Sequence, residues 1–363
     1  MTMSAKRLVF FSGGTAFNIT SSMLAQYTKD VTYIVTTFDS GGSTGILRSL
    51  IPMPAIGDIR KRMLALADPE CSQAIFDLFS FRASRNPTFE EIDTIYTLLY
   101  REHPIWKEVE SEVAQKLALY IDTFTKRIEQ PFSFSELSLG NCIFVGAMLY
   151  HTSLYQAIQE LSEILCIHGS VLPITEEDVH IVGIGYDGRE YVGQKIITTE
   201  AQVPFDDFFL AMLTPNAKKS YTPIQVKAPK YVVEALSHAD AICYPMGSFY
   251  SSILACLLVT GVSETISQAV CPKIYIPNVG IDREQGGMSV AMCVDTLLKV
   301  VGTQREHAID YITHIILDTD SSVYVNGIEE ENIPDGIELV YISNLATTVG
   351  TAPEKIVEFF SSL

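Results

Sequence analysis

The sequence predicts an α/β protein: a Rossmann-like, doubly wound, mostly parallel sheet with a helical insertion and a small β-rich segment. Three observations point there. Short apolar, β-branched runs alternate with helically spaced segments over residues 7–67, the order that lays strands in parallel. A glycine-rich turn follows each of the first two runs. Hydrophobic residues make up 47% of the 363, enough to cover a sheet on both faces.

The elements follow in order. Residues 7–11 read as a buried strand, 12–15 as a tight glycine turn and 17–27 as a helix. Residues 31–37 form a second, β-branched strand, 39–45 a second glycine loop and 56–67 a helix. From 71 to 136 glycines are few and amphipathic spacing repeats, as in Ile92, Ile95, Leu98 and Leu99, which predicts a helical insertion. Apolar helices are expected over 140–150 and 154–165. Residues 169–200 read as β-rich, with Asp187-Gly188 as a hairpin turn. The core then resumes with a helix at 231–237, a strand at 241–244, a helix at 249–260, a strand at 273–277 and a helix at 289–301. Strands at 312–317 and 337–342 and a terminal helix close the chain. One domain over residues 1–363 is expected, with its core in 1–70 and 137–310, the insertion in 71–136, the β-rich segment in 169–200 and C-terminal strands and helix in 311–363.

The formal net charge is −18, and it is unevenly spread: residues 1–70 hold seven basic and five acidic residues, a local +2 that leaves −20 elsewhere. So acidic a chain repels a phosphate backbone and an anionic bilayer, so neither nucleic acid nor membrane is expected as a partner. The locally basic segment suits a small anionic ligand, or is chance clustering. Cys71, Cys142, Cys166, Cys243, Cys256, Cys271 and Cys293 are odd in number and widely spaced, as expected of buried, reduced thiols in a cytoplasmic protein. No C-x-x-C, H-x-x-x-H or H-E-x-x-H occurs, which argues against a zinc site. The four apolar residues after Lys6-Arg7 are too short a run for a signal peptide. Residues 241–263 lack charge, but Pro245 and Gly247 interrupt them, so a strand and a helix fit better than a membrane span.

Four junctions carry candidate chemistry. Ser12-Gly13-Gly14-Thr15-Ala16-Phe17-Asn18 can bring backbone N–H groups to an anion at a helix N-terminus, with Gly13, Gly14, Thr15 and Asn18 as contacts. It matches neither G-x-G-x-x-G nor G-x-x-x-x-G-K-[ST], and a steric turn would use glycine equally. Asp39-Ser40-Gly41-Gly42-Ser43-Thr44-Gly45, followed by Arg48, places a carboxylate, glycines and hydroxyls where a metal-bound phosphate could sit. Gly41, Gly42, Ser43 and Arg48 are its candidate phosphate contacts. Asp58, in Gly57-Asp58-Ile59-Arg60-Lys61-Arg62, is either a helix N-cap or a second metal carboxylate. Ser138-Leu139-Gly140-Asn141 and Gly247-Ser248-Phe249-Tyr250-Ser251-Ser252 put small and amide residues at helix starts, which capping or convergence on one cleft would explain.

The ordered set S-G-G-T, D-S-G-G-S-T-G-x-L-R, G-D-I-R, S-L-G-N and G-S-F-Y-S-S-I resembles the 2-phospho-L-lactate transferase (CofD-like) family over roughly residues 6–300. Val171-Leu172-Pro173-Ile174-Thr175 and Lys273-Ile274-Tyr275-Ile276-Pro277-Asn278 place it nearest the gluconeogenesis-factor (YvcK-like) branch. The resemblance implies a homodimer and a pocket for a nucleotide diphosphate conjugate of uridine or guanosine type. It implies either Mg²⁺-assisted transfer of phospholactate to a deazaflavin, or regulatory binding of a uridine-diphosphate sugar. A glycosyltransferase with a similar glycine-rich donor site is a more distant alternative. Carried across, Asp39 and Asp58 match the metal positions, Asn141 the pocket asparagine, and Gly247 and Ser248 a second phosphate loop; Asp39, Asp58 and Asn141 are the expected catalytic residues. Ser40, Ala16, Leu137 and Met246 depart from the family's pattern, which marks a divergent member.

Overall fold

The computed structural model describes residues 6–68, 72–128, 134–201, 204–214, 220–347 and 350–363. Seven parallel strands form the main sheet: β1 (Leu8–Ser12), β2 (Val31–Val35), β3 (Ser170–Pro173), β8 (Ala241–Tyr244), β9 (Lys273–Tyr275), β10 (His314–Asp318) and β11 (Glu338–Ile342). The skipped numbers belong to a four-stranded antiparallel sheet of β4 (His180–Gly185), β5 (Glu190–Val192), β6 (Phe205–Leu213) and β7 (Tyr221–Pro223). The main order is β11-β10-β9-β8-β1-β2-β3, so the chain winds outward from β1 in one direction and from β8 in the other. The fold is α/β and doubly wound, with the antiparallel sheet beside it.

The strand period of two, with a core on each face, explains why residues 8–11 of β1 are all apolar. Leu8 and Phe10 pack into one core with α1 (Asn18–Tyr27), α3 (Gly57–Leu66), α7 (Leu139–His151) and α8 (Leu154–Ile164). Val9 and Phe11 pack into a second core on the other face, with α10 (Lys230–Ser237), α12 (Val262–Gln268), α13 (Val290–Val300) and the small sheet. Between α3 and α7 lie α4 (Gln73–Ser80), α5 (Phe89–Leu99) and α6 (Ser111–Arg127). Among the described residues, no helix is long and apolar enough to cross a membrane.

Several expectations need correction. The second glycine loop is short: α2 (Gly42–Leu50) starts inside it, capped by the extended Gly41. Gly45 is tolerated in that helix because a Cβ there would strike the Ser40 carbonyl. Residues 170–173 join the main sheet as β3, and Gln194–Glu200 is a helix, α9. Asp187-Gly188 does turn a hairpin, with Gly188 at φ +78°. The helix after β8 is a π-helical turn, Phe249–Leu254, continued by α11 (Ala255–Leu257). Such π turns are rare and concentrate at functional sites. Cys166 is disulfide-bonded rather than reduced. Cys142, Cys243, Cys256, Cys271 and Cys293 are free and buried; Cys71 lies outside the described residues.

Candidate functional site

The winding reverses between β1 and β8, and the loops leaving their carboxyl ends diverge there to open a crevice. Open α/β sheets bind ligands at this switch point. Residues 12–17 after β1 form one wall and residues 245–248 after β8 the other, with Asp58, Lys61, Arg62, Gln194 and Ser252 completing a space of about 140 Å³.

The first loop turns its backbone amides away from the protein's own acceptors. Among the described residues, the N–H groups of Gly13, Gly14, Thr15, Ala16 and Phe17 meet no protein acceptor. Gly13 and Gly14 have no positive φ; space is what demands glycine. A Cβ on Gly13 would collide with Ser252 Oγ, and one on Gly14 with the Asp58 carboxylate and Lys61 Nζ.

Beneath the loop lies Arg62, fully buried. Its Nε donates to Ser12 Oγ at 2.9 Å, Nη1 to the Phe17 carbonyl at 3.3 Å and to Ser21 Oγ, and Nη2 to the Gly13 carbonyl at 3.4 Å. The guanidinium stands 5.1 Å from the Tyr33 ring centroid. Burial holds its pKa down to about 10, which still leaves it charged at neutral pH. No carboxylate among the described residues pairs with it, so its field acts on the loop above.

Asp58 occupies the first turn of α3 without capping it. It pairs instead with Lys61, one turn on, at 3.1 Å. Burial pushes its carboxyl above the usual carboxylate range, Lys61 opposes the shift, and Asp39 reinforces it by repulsion. Asp39 lies outside the crevice lining, its Oδ2 over Gly57 and its Oδ1 accepting from Gly41 N at 2.8 Å.

Other predicted contacts stand apart from the crevice. Arg48 donates to the Asp39 carbonyl at 3.1 Å, to Asp178 at 2.7 Å and to the Val179 carbonyl at 2.9 Å. It thus clamps the Asp39 loop to the small sheet. Ser43 is buried and its Oγ accepts from Ser138 N at 3.2 Å; Gly42 faces Arg82. Asn141 is buried, with Oδ1 accepting from Arg60 Nε at 2.7 Å. Asn18 has a buried Oδ1 without a partner. In the second loop, Gly247 N donates to Asn278 Oδ1 at 2.8 Å and Phe249 N to Asp282 at 3.3 Å, leaving the Ser248 N–H without an acceptor among the described residues.

The structure therefore gathers Gly13, Gly14, Thr15, Asp58, Gly247 and Ser248, and adds Lys61, Arg62, Gln194 and Ser252. Lys61 follows Asp58 at helical spacing, a signal present in the sequence. Ser252 lies in the motif at 247–252, whereas Gln194 carries no signal. Among the described residues, no three His, Cys, Asp or Glu side chains group to hold a metal.

Fold and site define the class: a switch-point α/β protein with a glycine-lined crevice at the carboxyl edge of its sheet. The chain belongs to the 2-phospho-L-lactate transferase CofD family, whose family model matches residues 8–340. It is 28% identical over 278 residues to the gluconeogenesis factor of Halalkalibacterium halodurans, covering 76% of this chain and 68% of that protein. Identity to the Bacillus subtilis gluconeogenesis factor is 27% over 274 residues, covering 75% and 68%. A solved UPF0052-family structure from Bacillus halodurans superimposes with a TM-score of 0.70 at 22% identity, over 98% of this chain and 99% of that one.

Proposed function

We propose that the chain binds a nucleotide diphosphate conjugate, of uridine or guanosine type, with its phosphates on the first loop. The observation behind this reading is the run of five N–H groups without an acceptor over the buried Arg62 guanidinium. Such a run of amides before a helix is how phosphate is held without a dedicated side chain. The space of about 140 Å³ suits the phosphates; base and conjugated group would extend over the rim.

The use of that site is the second question. Its relatives' name, gluconeogenesis factor, names no transfer and favours a regulatory role, which we take to be the binding of a nucleotide sugar. So does the local charge balance: Lys61 already neutralises Asp58, and Asn141 Oδ1 is taken by Arg60. Mg²⁺-assisted transfer is the other reading. It is supported by Asp39 Oδ2 and Asp58 Oδ2, which have no hydrogen-bond donor among the described residues. These two carboxylates would hold the ion, which would neutralise charge developing on the diphosphate.

Calorimetry and thermal shift with UDP, GDP and a UDP-sugar, in Mg²⁺ and in chelator, separate the readings. The regulatory reading expects binding unchanged within about threefold on chelation and in Asp39→Asn. It expects Asp58→Asn to tighten binding, because Lys61 is released to the ligand. Metal-dependent binding lost in both variants supports transfer instead. No binding by any nucleotide at millimolar concentration overturns both.

A further inference from the structure

The strand β9 is followed by a loop in which Asn278, Asp282 and Glu284 all return to one segment. Asn278 Oδ1, Asp282 Oδ2 and Glu284 Oε2 accept the N–H groups of Gly247, Phe249 and Ser251 at 2.8, 3.3 and 2.8 Å. Three acceptors thus take alternate amides across the second loop and the π-helical turn. The Ser248 N–H between them stays available to the crevice. Asn278 Nδ2 completes the hold by donating to the Gly247 carbonyl and to Asp282.

Glu284 does more than its neighbours. Its carboxylate is 1% exposed, and no cation pairs with it among the described residues. Oε1 accepts from Ser251 Oγ at 2.7 Å and also from Thr198 Oγ1 at 2.6 Å. Ser251 belongs to the turn that carries Ser252 against Gly13, and Thr198 belongs to α9, whose first residue, Gln194, lines the crevice. The start of α9 is itself tied to the Asp39 loop, Lys195 N donating to Ser40 Oγ at 3.0 Å. A buried charge without a counter-ion is costly unless hydrogen bonds to it are complete. Here three donors from two elements meet one carboxylate.

We infer that Glu284 is a positioning residue of the crevice, joining the wall that carries Ser248 and Ser252 to the wall that carries Gln194. This rests on the crevice being the binding site proposed above. Burial also raises the Glu284 carboxyl above its ordinary range, and Asp282 adds to this by repulsion.

The test uses the full chain with UDP and GDP as probes. Glu284→Ala is expected to weaken the nucleotide that binds by on the order of tenfold, and Thr198→Val by about threefold, as three hydrogen bonds to the carboxylate are lost in the first and one in the second. Glu284→Gln is expected to restore affinity to within about threefold, because an amide can accept from Ser251 N and donate to the Thr198 hydroxyl. Hydrogen exchange without nucleotide is the second readout. Loss of Glu284 is expected to raise exchange in residues 194–200 and 248–254 together. Faster exchange in 248–254 alone, or wild-type affinity in both Glu284→Ala and Thr198→Val, overturns the inference. If the wild type binds neither nucleotide, the proposed function fails, and exchange alone decides this one. Should Glu284→Ala not fold, Thr198→Val decides: unchanged exchange in 248–254 overturns it.

Discussion

Lys61 and Arg62 are adjacent in sequence, yet one faces the crevice with its side chain 34% exposed and the other is sealed beneath the loop. Lys61→Met would leave Asp58 uncompensated at the crevice and is expected to weaken UDP or GDP binding about tenfold; calorimetry checks it, and unchanged affinity would show that Asp58 exerts no repulsion on the phosphates. Gly14→Ala should abolish binding, because its Cβ would drive Asp58 and Lys61 out of place; retained affinity there would refute the cradle. His180 carries a pH prediction. Burial, and then the Arg48 charge, lowers its pKa to about 3, while its side chain is 12% exposed. The folded value lies below the ordinary one near 6.5, so the unfolded chain takes up the proton first on acidification. The stability this neutral imidazole contributes is complete above pH ~6.5 and is lost as pH falls towards 3. The melting temperature of the wild type should therefore fall more steeply than that of His180→Asn between pH 6.5 and 4; equal slopes would refute it. Arg48 shows where sequence reasoning stops. An arginine after a glycine loop reads as a phosphate ligand, but α2 already begins at Gly42. That puts residue 48 about 9 Å down the helix axis from the loop's amides, against Asp178 and His180.

Elements were legible where their local signal agreed with their environment. The apolar run of β1 and the Asp187-Gly188 turn are both visible in the residues, since a strand buried on both faces and turn chemistry leave local marks. The start of α2 was hidden because three glycines normally argue against a helix; only the Ser40 carbonyl, met in the folded chain, makes Gly45 a necessity. In the residues alone the edge strand β3 reads only as part of the β-rich segment, with no sheet assigned, for a similar reason: four residues cannot say which neighbour they pair with. Gly146 illustrates the same close approach in α7. A Cβ there would meet the Tyr120 backbone of α6, which has no flexible side chain to move aside. Gly146→Ala is thus expected to destabilise the fold by about 1–3 kcal/mol despite the better helix propensity of alanine. Urea unfolding checks this, and a gain in stability would show that the two helices can separate freely.

At the scale of the whole molecule, both glycine loops after β1 and β2 are visible in the residues, but strand order sets the first beside the loop after β8, which the residues offer only as one reading of 247–252. That pairing depends on contacts more than 200 residues apart, which no local pattern encodes. The apolar runs of α7 and of the π-helical turn are absorbed by one chain: Ile143, Phe144 and Val145 are fully buried, as are Leu254 and Ala255. A homodimer is therefore proposed on family resemblance alone, and light scattering at micromolar concentration should return twice the 40.2 kDa chain mass; one chain mass throughout would end it. The same scale sets the salt dependence of binding. The chain carries a net −18, so a nucleotide approaches against long-range repulsion. Near the crevice, Asp58 and Lys61 neutralise each other at 3.1 Å, and Arg62 is buried where salt screens little. Added salt therefore acts mainly on the distant acidic groups, since the Debye length shrinks from about 30 Å at 0.01 M to about 10 Å at 0.1 M. UDP or GDP affinity should rise about two- to fivefold over that range, opposite in sign to a phosphate site built on exposed lysines. Titrations in chelator at fixed pH measure it directly. A steady fall in affinity with salt would mean that exposed cations, rather than backbone amides over a buried arginine, hold the phosphates.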